Sequence, residues 1–291
     1  MNTSTVSTLH FKPKVRTYIA LGIALISISW ASILVILSRA PATVCALWRL
    51  TFSSLITWAL LLARKGHYEL SSLNKSHLTL IVISGTALAS HFSLWMESLF
   101  HLPVALSTTV VVTYPIISLV IDSFVFHERP RSVQVLGVIL AFTGITLLTG
   151  LPKVLGIPVS VIGVLYAFVA SIAAALYFSI GRRLRRELDT LTYTCLTYST
   201  SSIVLFIYST VSRIEVFNYS LETWIYLLAL ALIPMLGGHT ILNYVLRYMS
   251  TVAVTAIALG EPVVATVLAK FILGQEVKTA TYMFMGRNIR L

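Results

Sequence analysis

Four ionisable side chains lie deep inside apolar stretches of this chain: Arg49, His91, His239 and Glu261. Glu261 stands in "AIALGEPVVATVLAKFILGQEV" (256–277), followed at once by Pro262 and nine residues later by Lys270. A carboxylate in such surroundings is costly unless it faces a cavity or a partner, and there it can bind a cationic group or carry a proton. Pro262 has no N–H and frees the carbonyl of Ala258, loosening the helix beside the carboxylate. Glu261 and Pro262 therefore read as a polar group and a hinge at a transport site. The competing reading is a protonated carboxyl that only hydrogen-bonds across a helix contact. Lys270, closer to the membrane surface, is expected to snorkel.

The two histidines come with partners at helical spacing. His91 and Trp95 are i, i+4, and so are His239 and Asn243. Histidine titrates near neutrality, so either ring could carry a proton, and either could equally be a structural hydrogen bonder. Thr108, Pro115, Ser118 and Asp122 share one helix face, with Tyr114 adjoining the proline. Such a polar stripe suits a cavity wall or a helix contact, with Pro115 as a second hinge. Arg49 could hold a substrate carboxylate through paired hydrogen bonds. It could instead tie helix ends together through Glu97, and that structural ion pair is the preferred role.

What must position these groups follows from composition. Of 291 residues 57% are hydrophobic and 11% charged, against about 25% charged in an ordinary soluble domain. Continuous apolar stretches of about 20 residues recur, enough for a helix to cross a hydrocarbon layer of about 30 Å. The chain is expected to be an all-α polytopic membrane protein. Spans are predicted at 17–37, 43–63, 76–99, 103–125, 131–150, 159–181, 190–211, 223–246 and 251–273, with a tenth from about 279. No cleaved signal peptide is expected in "MNTSTVSTLHFKPKVR".

The net charge of +11 has a topological reading. With the N-terminus in the cytoplasm, Lys12, Lys14, Arg16, Arg64, Lys65, Lys75, Arg129, Arg131, Arg182, Arg183, Arg185, Arg186 and Arg247 fall inside. Only Arg39, Lys153, Arg213 and Lys278 fall outside, thirteen against four. That is a positive-inside bias, not a nucleic-acid patch. The densest cluster, "GRRLRREL" (181–188), is expected to meet anionic lipid. The sequence predicts a multi-pass protein of the plasma membrane. Cys45 and Cys195 both lie within spans and imply neither disulfide nor metal.

The chain also repeats itself. "HLPVALSTTVVVTYPIISLVIDSFVFHE" (101–128) parallels "MSTVAVTAIALGEPVVATVLAKFILGQE" (249–276). Ala105 and Ala253, Glu128 and Glu276, and His91 and His239 are each 148 residues apart; Pro115 and Pro262 are 147 apart. After a tail (1–16), residues 17–150 and 151–291 thus form two five-helix halves. Five is odd, so the second half is inverted, as in secondary transporters with a midplane site. After Glu128 the first half continues for 22 residues through its fifth helix, whereas only 15 follow Glu276. The last helix is therefore expected to be truncated, about 12 residues and 18 Å.

The order of "ISWASILVI", "ALWRL", "YP…HERP", "ALYFSIGRRL" and "GEPVVATVLAKFILGQEV" resembles the EamA-like branch of the drug/metabolite transporter superfamily, over residues 17–286. The resemblance implies a ten-helix alternating-access carrier exporting amino acids or related small metabolites, without cofactor or metal. A nucleotide-sugar or organophosphate exchanger is the runner-up, but its substrates would demand more intramembrane cations than Arg49 and Lys270. A channel or a non-transporting membrane protein is the third reading. An enzyme is not expected, since the chain has no His-Glu-x-x-His pair, nucleophile elbow or phosphate loop. The expected partners are a small-molecule substrate, the lipid bilayer and a coupled proton.

Overall fold

The structure, a computed structural model, describes residues 15–125 and 159–275, with short pieces between 132 and 144. Among the described residues there is no strand, and eight helical segments are long and apolar enough to cross a membrane. We label them α1 (Val15–Ser38), α2 (Ala42–Ala63), α3 (Lys75–Ser98), α4 (Val104–Phe124), α5 (Val161–Leu184), α6 (Thr190–Val211), α7 (Leu221–Val245) and α8 (Thr251–Leu273). Each starts and ends within about three residues of its predicted position. The segment predicted at 131–150 lies mostly, and the tenth segment wholly, outside the described residues.

The starts are fixed locally. Asn74, Ser160, Asp189 and Ser220 each accept a backbone N–H from the first turn of the helix they precede, which satisfies donors a helix leaves open. One face of each span packs into a shared apolar core. The other exposes large side chains such as Ile19 and Ile26 on α1, Leu55 on α2, Ile203 and Ile207 on α6 and Phe271 on α8. Soluble monomers rarely expose such contiguous aliphatic surface to water. This is a multi-pass membrane protein.

The pairing of spans shows their directions. On α2 and α6, Thr51 hydrogen-bonds Ser202 (2.6 Å) and Ser54 hydrogen-bonds Ser199 (2.7 Å), while Trp58 Nε1 also donates to Ser199. Numbers rise on one helix as they fall on the other, so α2 and α6 are antiparallel. At the start of α4 the Val104 N–H donates to Gln275 Oε1 just beyond the end of α8 (3.3 Å), so α4 and α8 are antiparallel too. Sequence-equivalent spans therefore run in opposite directions, as inverted halves require. Lys65 and Arg213, 148 residues apart and just past α2 and α6, share the same left-handed backbone (φ 54° and 56°).

Close contacts rest on glycine. A Cβ on Gly85 of α3 would sit 2.6 Å from Thr200 Cβ of α6, and one on Gly238 of α7 would sit 2.5 Å from Ile28 Cγ2 of α1. Small residues let helices approach where no water is available to drive packing.

Two spans break where proline was expected to break them. In α4 the helix stops at Val111 and restarts at Tyr114, with Pro115 in its first turn. In α8 a short helix (Thr251–Thr255) tightens into a 3₁₀ stretch (Ala256–Gly260) before a new helix begins at Glu261. The Ala258 carbonyl, which Pro262 cannot reach, accepts the Glu261 N–H instead. A third irregularity was not foreseen: α7 is a π-helix from Ala231 to Thr240, with Pro234 inside it.

The "GRRLRREL" cluster needs correction. Arg185, expected to meet lipid headgroups, is 1% exposed. It donates to the carbonyl of Asn243 (3.0 Å), to Thr190 Oγ1 and to the Leu188 carbonyl, and Arg182 donates to the Leu246 carbonyl. Two of the four arginines thus neutralise open carbonyls at the end of α7. Burial lowers the Arg185 pKa to about 10, partly offset by Asp189, which leaves it charged at neutral pH.

Candidate transport site

Between the halves lies a cavity of about 20 Å³, room for roughly one water molecule. Six of the eight side chains predicted for the site line it: Arg49, His91, Trp95, Tyr114, His239 and Glu261. They arrive from five spans, and both prolines stand next to lining residues.

Arg49 enters from the middle of α2. It is fully buried, its Cζ lies 3.9 Å from the centroid of the Phe92 ring, and none of its three guanidinium nitrogens has a hydrogen-bond partner. The preferred pairing with Glu97 is wrong. Glu97 sits at the far end of α3, half exposed, against His101 at 3.4 Å. Across the cavity Glu261, 7% exposed, is the first residue of its helix, where unpaired N–H groups and the helix dipole favour a carboxylate. Arg49 and Glu261 line the same cavity, yet among the described residues no ion pair within 4.0 Å joins them.

The histidines do meet. Their ring centroids are 6.1 Å apart, although they come from different halves. His91 Nδ1 lies 3.0 Å from the Ala170 carbonyl of α5. A carbonyl can only accept, so Nδ1 carries a hydrogen, and in the neutral ring Nε2 keeps the lone pair. Trp95 stacks on His91 (6.3 Å, 8°) and Tyr114 meets it edge-on (6.4 Å). His239 is held between Phe92 (5.0 Å) and Phe178 (5.8 Å), with its Nδ1 unpartnered. The residue before each proline, Tyr114 in the first half and Glu261 in the second, occupies matching places 147 apart.

Two predicted residues are not on the cavity wall. Ser118 is buried without a partner for its hydroxyl, one turn beyond Tyr114. Asn243 donates through Nδ2 to Tyr177 (2.5 Å) and Tyr198 (3.4 Å), whose hydroxyl also meets Thr240 (3.0 Å). Asn243 belongs to a tyrosine network beside the site. Phe92, the platform under Arg49, was not foreseen; a phenylalanine in an apolar span carries no distinguishing mark.

The sequence model of the EamA-like transporter family matches residues 17–150 and, a second time, residues 161–286. The chain belongs to the EamA-like transporter family. The doubled match agrees with the internal repeat, and membership makes this EamA-like protein a membrane transporter of the drug/metabolite transporter superfamily. A solved crystal structure aligns with 94% of the EamA-like chain and 93% of its own at a TM-score of 0.71, with 17% identity. That likeness shows a shared fold alone. Among curated proteins, none matches.

Proposed function

We propose that this EamA-like transporter is an alternating-access secondary carrier that exports amino acids or related small metabolites across the plasma membrane, with its N-terminus in the cytoplasm. One observation supports this most: an unpaired buried guanidinium and a buried carboxylate share a cavity between antiparallel halves, beside two proline breaks. Inverted halves can exchange conformations about a midplane site, and the breaks are where α4 and α8 can bend. The cavity is far below the about 300 Å³ of a typical ligand site, so the conformation described is contracted, and substrate enters by opening it. One cation on the wall suits a single carboxylate better than a diphosphate. Lys270, the other intramembrane cation, is exposed and lies 5.9 Å from the Phe271 ring.

The test is counterflow in proteoliposomes loaded with unlabelled L-amino acids and exposed to the labelled forms. A carrier accelerates entry of label when substrate is on the far side. Label entry that is independent of internal substrate would indicate a channel, and acceleration only by nucleotide-sugars would favour the exchanger.

A further inference from the structure

We infer that Arg49 and Glu261 are the two poles of a receptor for an α-amino acid zwitterion, Arg49 binding the carboxylate and Glu261 the ammonium group. The inference rests on the carrier reading and names the recognition chemistry within it. Arg49 brings three buried nitrogens with no acceptor. A guanidinium fork matches the two oxygens of a carboxylate, so the missing acceptor is chemically defined. The Phe92 ring 3.9 Å away holds the guanidinium on one side, so acceptors must come from another.

The opposite pole follows from Glu261. An inorganic anion would satisfy Arg49 but would meet a carboxylate on the same small cavity. A simple cation would satisfy Glu261 but would meet the guanidinium. A neutral solute without an acceptor would leave the guanidinium unpaired, and unpaired buried polar groups are costly. A ligand carrying both charges close together answers both poles at once. Around them His91, Trp95 and Tyr114 supply a mostly aromatic wall, suited to the hydrocarbon part of such a ligand. Because Glu261 begins a helix directly after the 3₁₀ stretch, bending there changes its separation from Arg49. Ligand capture and opening are thereby linked.

The experiment is a thermal-shift binding series on the full-length purified protein. The probes are each L-amino acid that exchanges in the counterflow assay, its primary amide and its N-acetyl derivative. In wild type the amide and the N-acetyl compound should each bind about 10- to 100-fold more weakly than the parent, the loss expected for one hydrogen-bonded charge. In Arg49→Gln the parent and amide should become nearly equal while the N-acetyl form is still rejected; in Glu261→Gln the pattern should reverse. This crossed pattern is one that a merely structural role cannot produce. Should either variant fail to fold, Arg49→Lys keeps the charge without the fork and should discriminate less strongly than wild type. If wild type exchanges amino acids but binds all three forms equally, the clamp is wrong and the carrier stands. If no amino acid exchanges or binds, the clamp and the substrate class fall together.

Discussion

A group held for binding and not for folding should make the protein less stable than it could be, and Arg49 offers a direct measure. Its three nitrogens have no hydrogen-bond partner, and its guanidinium lies against the Phe92 ring. Consider Arg49→Met combined with Glu261→Gln, which removes both charges and keeps the volumes similar. An unsatisfied buried polar group costs about 1–3 kcal/mol, and a charged one more. A desolvated cation–π contact returns about 2 kcal/mol. Replacing buried charges by well-packed apolar groups often stabilises by about 1–4 kcal/mol. The double variant should therefore be more stable by roughly 1–3 kcal/mol. At about 2–4 °C per kcal/mol for a chain of this size, its melting temperature should rise by several degrees. Intrinsic fluorescence during heating of the purified protein in detergent reads the shift, and transport by the same variant should be lost. A melting temperature lowered by several degrees would refute the reasoning, because Arg49 would then be holding helices together.

Three further outcomes are expected. Glu261→Gln should insert and fold normally yet lose proton-dependent transport, with His239→Gln giving a weaker, pH-shifted defect; wild-type rates for Glu261→Gln from pH 5 to 8 would reduce the carboxylate to packing. Arg183→Cys, exposed in the last turn of α5, should react with a membrane-impermeant thiol reagent from the cytoplasmic side only. Both native cysteines are buried and do not compete, and labelling from outside would invert the topology. Gly85→Ala should cost about 1–3 kcal/mol by overpacking, since its Cβ would meet Thr200 Cβ at 2.6 Å and the Thr197 carbonyl at 2.9 Å; an unchanged melting temperature would mean α3 and α6 can part freely.

The spans were legible because lipid demands unbroken apolar runs, and the breaks were legible because proline lacks a donor. The meeting of His91 and His239 was legible from their spacing of 148 residues. What sequence could not supply was rotation about each helix axis. Depth placed Arg49 within reach of Glu97, but Glu97 faces His101 at the rim. Asn243 failed for a related reason. His91 and Trp95 share a face because α3 is regular. The same spacing on α7 crosses the end of a π-helix, whose extra residue per turn turns the following segment aside. Arg185 was legible as charge but not as a cap, because the carbonyl it caps on α7, that of Asn243, lies 58 residues away in sequence.

The contact between His91 and His239 has a consequence for what kind of molecule can hold this site. Near an axis of approximate two-fold symmetry, a residue meets its own copy. Two neutral imidazoles tolerate that meeting at 6.1 Å. Two carboxylates, or two guanidiniums, in the same dry space would repel each other strongly. The chain avoids this by carrying tyrosine at 114 where it carries glutamate at 261, and threonine at 197, 148 residues after Arg49. Two identical half-subunits could reproduce the breaks and the histidine pair, but they could not place one guanidinium and one carboxylate on the same wall. Joining the halves in one polypeptide is what allows the centre to be chemically lopsided while the frame stays symmetric. On the alternating-access reading proposed above, the inward-facing and outward-facing forms are then not equivalent under that two-fold axis.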